Sequence, residues 1–225
     1  MKYFLECCCT SAADAVTAQR SGASRIELCT RLDIGGVTPS EYLIRQTLLS
    51  LAEAVQRPCR PIPVNVLVRL RGGDFVYSEE EIQEMLADIE MCKCLSISDS
   101  SGCDHRINGV VIGALRPDGC IDVEMMRRLV AAARPLQVTF HRAFDECADV
   151  ERGLEDVIAL GCERLLTSGH APDAFAGRLT LARLVRQAAG RIIILAGRGV
   201  RPGNIDAIAS VSSTPEFHSS TLTGW

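Results

Sequence analysis

The sequence predicts an α/β fold, a (β/α)8 TIM-type barrel without the helix that would close its last unit. Three observations carry this. Short apolar runs alternate with longer amphipathic stretches from end to end of the 225 residues, as in chains of βα units. Several of the runs, such as GVVIG at 109–113 and RIIILA at 191–196, are unbroken; parallel strands buried on both faces read this way. Eight such runs can be counted, and no Gly-rich dinucleotide fingerprint follows the first, which favours a closed barrel over an open doubly wound sheet.

The elements follow in order. Residues 3–8 read as the first strand and 11–21 as a helix, with Ser11 as N-cap and Gly22 as its stop. A second strand spans 25–29. Thr38-Pro39-Ser40 opens a helix reaching about residue 55, with Pro39 in its first turn. The Val-rich stretch 63–70 is the third strand. Ser78 and Glu81 form a capping box for a helix running to about residue 93. Strands at 109–113, 137–141, 163–167 and 191–196 then alternate with helices at 122–133, 149–160, 175–189 and 202–209. Residues 216–219 supply the eighth strand. A polar insertion at about 94–107 exceeds the usual connection length. No compositional break divides the chain, so residues 1–225 are expected to form a single domain.

Hydrophobic residues make up 47% and charged residues 23%, and the net charge is -4. This lacks the basic surplus of a nucleic-acid or anionic-membrane binder. No apolar run approaches a membrane span, and the first residues carry no secretory pattern. A cytoplasmic location is expected, with the eleven cysteines mostly reduced. Neighbours on one strand face opposite ways, so Cys7, Cys8 and Cys9 are poor disulfide partners for one another.

Barrel enzymes carry their sites at the C-terminal ends of the strands, and inward positions recur every second residue. That rule collects Glu6 and Cys8; Arg25, Glu27 and Cys29; Arg69 and Arg71; His141, Arg142 and Asp145; Ser168; and His218. Two readings stand side by side: a structural ion-pair network of Glu6 and Glu27 with Arg25 and Arg69, or a site. Arg69 and Arg71, on one face, suit a carboxylate or phosphate. Gly197 and Gly199, after the seventh strand, suit an anion near the backbone. Glu6, Glu27, His141 and Asp145 are candidate proton carriers, and His141 reads equally as a hydrogen-bonded core histidine. Cys8 and Cys29 are either two small buried hydrophobes or a soft Cu(I) pair. Cys92, Cys94, Cys103 and His105 match no standard zinc spacing.

The segments GASRIELCTRLDIGGVTPS (22–40), RLRGGDFVYSEEEI (69–82), GVVIGAL (109–115), TFHRAFD (139–145), LLTSGH (165–170) and FHSS (217–220) resemble the CutC copper-homeostasis family, in order along nearly the whole chain. The resemblance implies a TIM barrel, a cytoplasmic homo-oligomer, and Cu(I) bound by cysteine, here Cys8 and Cys29. It brings no reaction. Three functions are therefore carried forward: a Cu(I)-binding protein, an enzyme acting on a small anionic or phosphorylated metabolite, and a scaffold working through its oligomer surface.

Overall fold

The computed structural model describes residues 2–55 and 60–225. Eight parallel strands close into a barrel: β1 (Phe4–Cys9), β2 (Arg25–Leu28), β3 (Val64–Leu67), β6 (Gly109–Ile112), β7 (Gln137–Phe140), β8 (Arg164–Thr167), β9 (Ile193–Ala196) and β10 (Glu216–Ser219). The remaining pair, β4 (Ile97–Ser98) and β5 (Asp104–His105), is a small antiparallel hairpin. It folds the predicted insertion. It lies between a helix and the strand after it, on the face opposite the strand C-termini, and so away from the site.

Among the described residues seven α-helices surround the barrel: α1 (Ala12–Arg20), α2 (Glu41–Glu53), α3 (Glu79–Cys94), α4 (Val123–Ala133), α5 (Val150–Ala159), α6 (Arg178–Ala188) and α7 (Ile205–Ser212). Their starts follow the capping chemistry of the sequence. Ser11 Oγ accepts from Asp14 N, and the capping box of Ser78 with Glu81 is complete. Pro39 is corrected from the first turn of α2 to a position before it, because Ser40 is the N-cap and accepts from Leu43 N. The last helix starts and ends later than expected: Arg201 N bonds Asn204 Oδ1, which holds residues 201–204 as a turn. No helix follows β10. Residues 220–225 instead lay Leu222 and Trp225 against the outer core.

The alternation of Cys7, Cys8 and Cys9 separates two cores. Cys7 and Cys9 face outward, into the apolar layer between strands and helices. Cys8 faces inward, where Cys8, Cys29, Leu67 and Val111 form a thin apolar layer inside the barrel. The rest of the interior is markedly polar.

Candidate active site

The lower interior is built from residues early in their strands. Register places Arg25 and His218 on either side of Glu6. Arg25 bonds the Glu6 carboxylate through Nε and Glu216 through Nη2 at 2.7 Å. Arg164 reaches Glu216 at 2.9 Å, and Asn65 donates to Glu6 at 3.4 Å. Burial alone would raise the pKa of Glu6, but the hydrogen bond with His218 and the charge of Arg25 outweigh it and hold the carboxyl at about 2. Arg25 is 1% exposed and fully engaged. It is thus corrected from a substrate contact to the centre of a structural network. Beside the expected Glu6, its second carboxylate partner is Glu216 and not Glu27.

Above this network, at the C-terminal ends of the strands, opens a cavity of about 560 Å³. Glu27, Arg69, His141, Arg142, His218 and Cys8 line its depth, and Arg198, Gly199, Arg201 and Ser220 its rim. Three buried polar atoms on these residues have no hydrogen-bond partner among the described residues: Glu27 Oε2, Arg69 Nε and His141 Nε2. Buried polar groups are normally satisfied, so three orphans around one cavity mark a place prepared for a ligand or water.

Each is held by its surroundings. Arg69 donates to the carbonyls of Ile34, Gly36 and Gly73 and stacks over Phe75 at 4.6 Å. Among the described residues no carboxylate forms an ion pair with it; its charge is met by those three carbonyls and, at longer range, by Asp74. The Ala143 amide donates to His141 Nδ1 at 3.2 Å, which leaves the ring proton on Nε2. Burial, with Arg69 and Arg142 nearby, pushes His141 down to about 3, so the ring is neutral. Gly113 makes room for it: a Cβ there would lie 2.5 Å from Nδ1. Burial raises Glu27 to about 7, against the pull of nearby cations. His218 bonds Glu6 through Nδ1 at 2.8 Å. Burial opposes its charge, but Glu27 and Glu6 together raise its pKa.

The titration of His141 has a measurable consequence. Its folded value lies below the ordinary 6.5, so the unfolded chain binds this proton more readily. The stability it contributes is complete above about pH 6.5 and is lost as pH falls toward 3. At about 1.4 kcal/mol per unit, about 2 kcal/mol goes between pH 6.5 and 5. Urea melts of the parent and of His141→Gln should show the parent losing that much more over this interval. Equal losses would mean that the ring is solvated.

Other candidates fall elsewhere. Arg71 is turned out of the cavity, paired with Glu81 at 2.5 Å and Asp74 at 3.1 Å. Residues 72–77 curl back over it, so the strand alternation that would align it with Arg69 ends at Leu67. Asp145 is corrected from a proton carrier to an anchor: its carboxylate accepts from Thr167 Oγ1 and the amides of Ser168 and His170. Ser168 Oγ donates to Ala171 O, away from the cavity. The Gly197 amide is spent on the strand ladder with Thr167, and its lack of a side chain makes room for Leu166 instead. Of the glycine pair, only Gly199 reaches the cavity. The cysteines and histidine of the insertion are absent from both groups of metal-ligating side chains among the described residues. Strand parity, extended below the strand ends, would have found Asn65, Arg164 and Glu216. Arg198 and Arg201 flank Gly199 and were overlooked in favour of the glycines.

A family model described as the CutC family matches residues 3–223. The chain belongs to the CutC family. The family protein CutC of Parabacteroides distasonis is 47% identical over 220 residues, covering 98% of this chain and 83% of the relative. That of Xylella fastidiosa is 50% identical over 216 residues, 96% of this chain and 74% of the relative. The solved CutC structure from Streptococcus agalactiae, 29% identical, superposes with a TM-score of 0.86 over 98% of this chain and all of its own. An aldolase at 11% identity and TM-score 0.66, covering 97% of this chain and 90% of its own, shares the barrel fold alone.

For this CutC chain the copper fit depends on Cys8 and Cys29. Their sulfurs are 3.5 Å apart and hydrogen-bonded. Glu27 completes a group whose ligand atoms lie within 4.8 Å of one another. Two thiolates suit Cu(I), while the carboxylate is a hard oxygen that does not. The hydrogen bond with Cys29, burial and the charge of Glu27 all raise the pKa of Cys8, so a metal would have to displace protons to bind.

Proposed function

We propose that the barrel mouth binds a small anionic metabolite and moves a proton on it, in a cytoplasmic enzyme. The observation that carries this reading is the buried, carboxylate-free Arg69 beside the orphaned atoms of His141 and Glu27 in one cavity. An unpaired buried cation is costly, and an anion in the cavity would compensate it. His141, neutral, would donate a hydrogen bond; Glu27, raised to about 7 by burial, would exchange a proton near neutral pH. A copper carrier needs neither Arg69 nor His141.

The test is a thermal melt of the reduced, metal-stripped chain against inorganic phosphate and small mono- and dicarboxylates. Binding at 100 times Kd should add about 2.7 kcal/mol, a melting shift of several degrees. No shift from any of these anions at millimolar concentration would end the proposal.

The second reading is Cu(I) carried by Cys8 and Cys29. The 3.5 Å sulfur pair favours it, as does the copper-homeostasis name carried by the Streptococcus agalactiae structure. Its check is a Cu(I) titration against a competing chelator. Stoichiometric binding that vanishes in Cys8→Ser/Cys29→Ser supports it; identical binding in parent and variant removes it.

A further inference from the structure

The two ends of the cavity differ in kind, and the difference narrows the ligand. The deep end is lined by Glu27 and His141, whose Oε2 and Nε2 are buried and, among the described residues, without a partner. The rim over β9 and β10 presents Arg198 and Arg201, exposed and, among the described residues, paired with no carboxylate. Arg201 is steadied by bonds from Nη1 to Val200 O at 2.7 Å and Ser219 Oγ at 3.5 Å. Gly199, between the two arginines, has a φ of +73°, and Arg198 itself has +71°. A non-glycine residue in the left-handed region costs energy and tends to be kept where a site needs it. This loop follows the seventh barrel strand, β9, in the region where barrels commonly hold phosphate.

We infer that the ligand is a phosphorylated α-hydroxy aldehyde or ketone, its phosphate on Arg198 and Arg201 and its carbonyl oxygen on the Nε2–H of His141. This rests on the preceding reading that the cavity takes an anionic metabolite. The reaction class follows from the deep end. The Glu27 carboxylate removes the proton from the carbon next to the carbonyl. The electron pair of that C–H bond becomes the C=C bond of an enediolate, and the carbonyl π pair moves to oxygen. His141 donates a hydrogen bond to that oxygen throughout. Glu27 then returns the proton to the former carbonyl carbon while the hydroxyl proton moves from the second oxygen to the first, giving the isomer; return to the original carbon gives the substrate or its epimer. No oxidant, reductant or second substrate is consumed. A neutral imidazole is the suitable donor, because it need not lose a charge as the oxyanion forms.

The experiment incubates the reduced, metal-stripped chain in D2O with glyceraldehyde 3-phosphate, erythrose 4-phosphate and ribose 5-phosphate. Their unphosphorylated counterparts run in parallel. Proton NMR follows loss of the α-C–H signal. The expected result is protein-dependent exchange in at least one phosphorylated member, with the matching free sugar at least 10-fold slower. His141→Phe should lower kcat about 10²- to 10³-fold, as loss of an oxyanion donor does. His141→Gln, which keeps an N–H donor, should recover part of it. Arg201→Ala should raise KM with little change in kcat. Exchange equal with and without phosphate overturns the phosphate assignment. Full activity in a folded His141→Phe overturns the role of His141. No exchange in any phosphorylated member, while inorganic phosphate still raises the melting temperature, overturns the enolisation and leaves the anion site standing. No exchange and no melting shift removes the underlying reading as well.

Discussion

Replacing Arg25 by methionine should destabilise the chain by about 3–5 kcal/mol, the cost of leaving buried charges unpaired. At about 2–4 °C per kcal/mol for a domain of this size, the melting temperature falls by roughly 10 °C. Arg25 joins Glu6 to Glu216 inside the barrel, with both carboxylates almost completely shielded from solvent. Each acid keeps a second cationic neighbour, His218 for Glu6 and Arg164 for Glu216. The fold should therefore survive in weakened form. Adding Glu6→Gln to Arg25→Met removes one stranded charge and should recover part of the loss. A calorimetric melt of the three proteins checks this. An Arg25→Met protein within about 0.5 kcal/mol of its parent, the range of ordinary surface substitutions, would show that the network contributes nothing to stability.

Replacing Arg69 by leucine should weaken the binding of small anions about 10- to 100-fold, the value of a hydrogen bond to a charged group at 1.5–3 kcal/mol. Arg69 also ties the carbonyls of Ile34 and Gly36 to that of Gly73, so Arg69→Leu also loosens both rim loops. Arg69→Lys separates the two effects. It keeps the charge and loses the planar fork, so it should retain more anion affinity than leucine while the loops loosen similarly. Equal affinity in parent and Arg69→Leu would place the anion elsewhere on the molecule.

The barrel was legible because its signals are local and repeated: cap residues, apolar runs and stop glycines recur unit by unit. The site was legible where strand parity holds. Glu6, Cys8, Glu27, Cys29, His141 and His218 all face inward, as alternation requires. It failed where the chain leaves the strand. Arg71 lies past the end of β3 and turns toward Glu81. Asp145 sits in the turn after β7, where its oxygens accept from Thr167 at the end of β8 and from two amides of the loop that follows. Stopping at the strand ends also hid the lower network, since Glu216 and Arg164 open their strands rather than close them. The pairing of Arg25 with Glu216, 191 positions apart, depends on barrel closure, which no local pattern records.

The arginine-lined cavity, and not the thiol pair, is the functional site proposed for this chain. Its most direct measurement is the phosphate-induced melting shift of the reduced, metal-free chain, read in the parent, in Arg69→Leu and in Cys8→Ser/Cys29→Ser. The expected result is a shift of several degrees in the parent, the same shift in the double serine variant, and a smaller one in Arg69→Leu, which removes one of the cations lining the cavity with the rim pair Arg198 and Arg201. A chain unmoved by phosphate, yet binding Cu(I) stoichiometrically through Cys8 and Cys29, would contradict it.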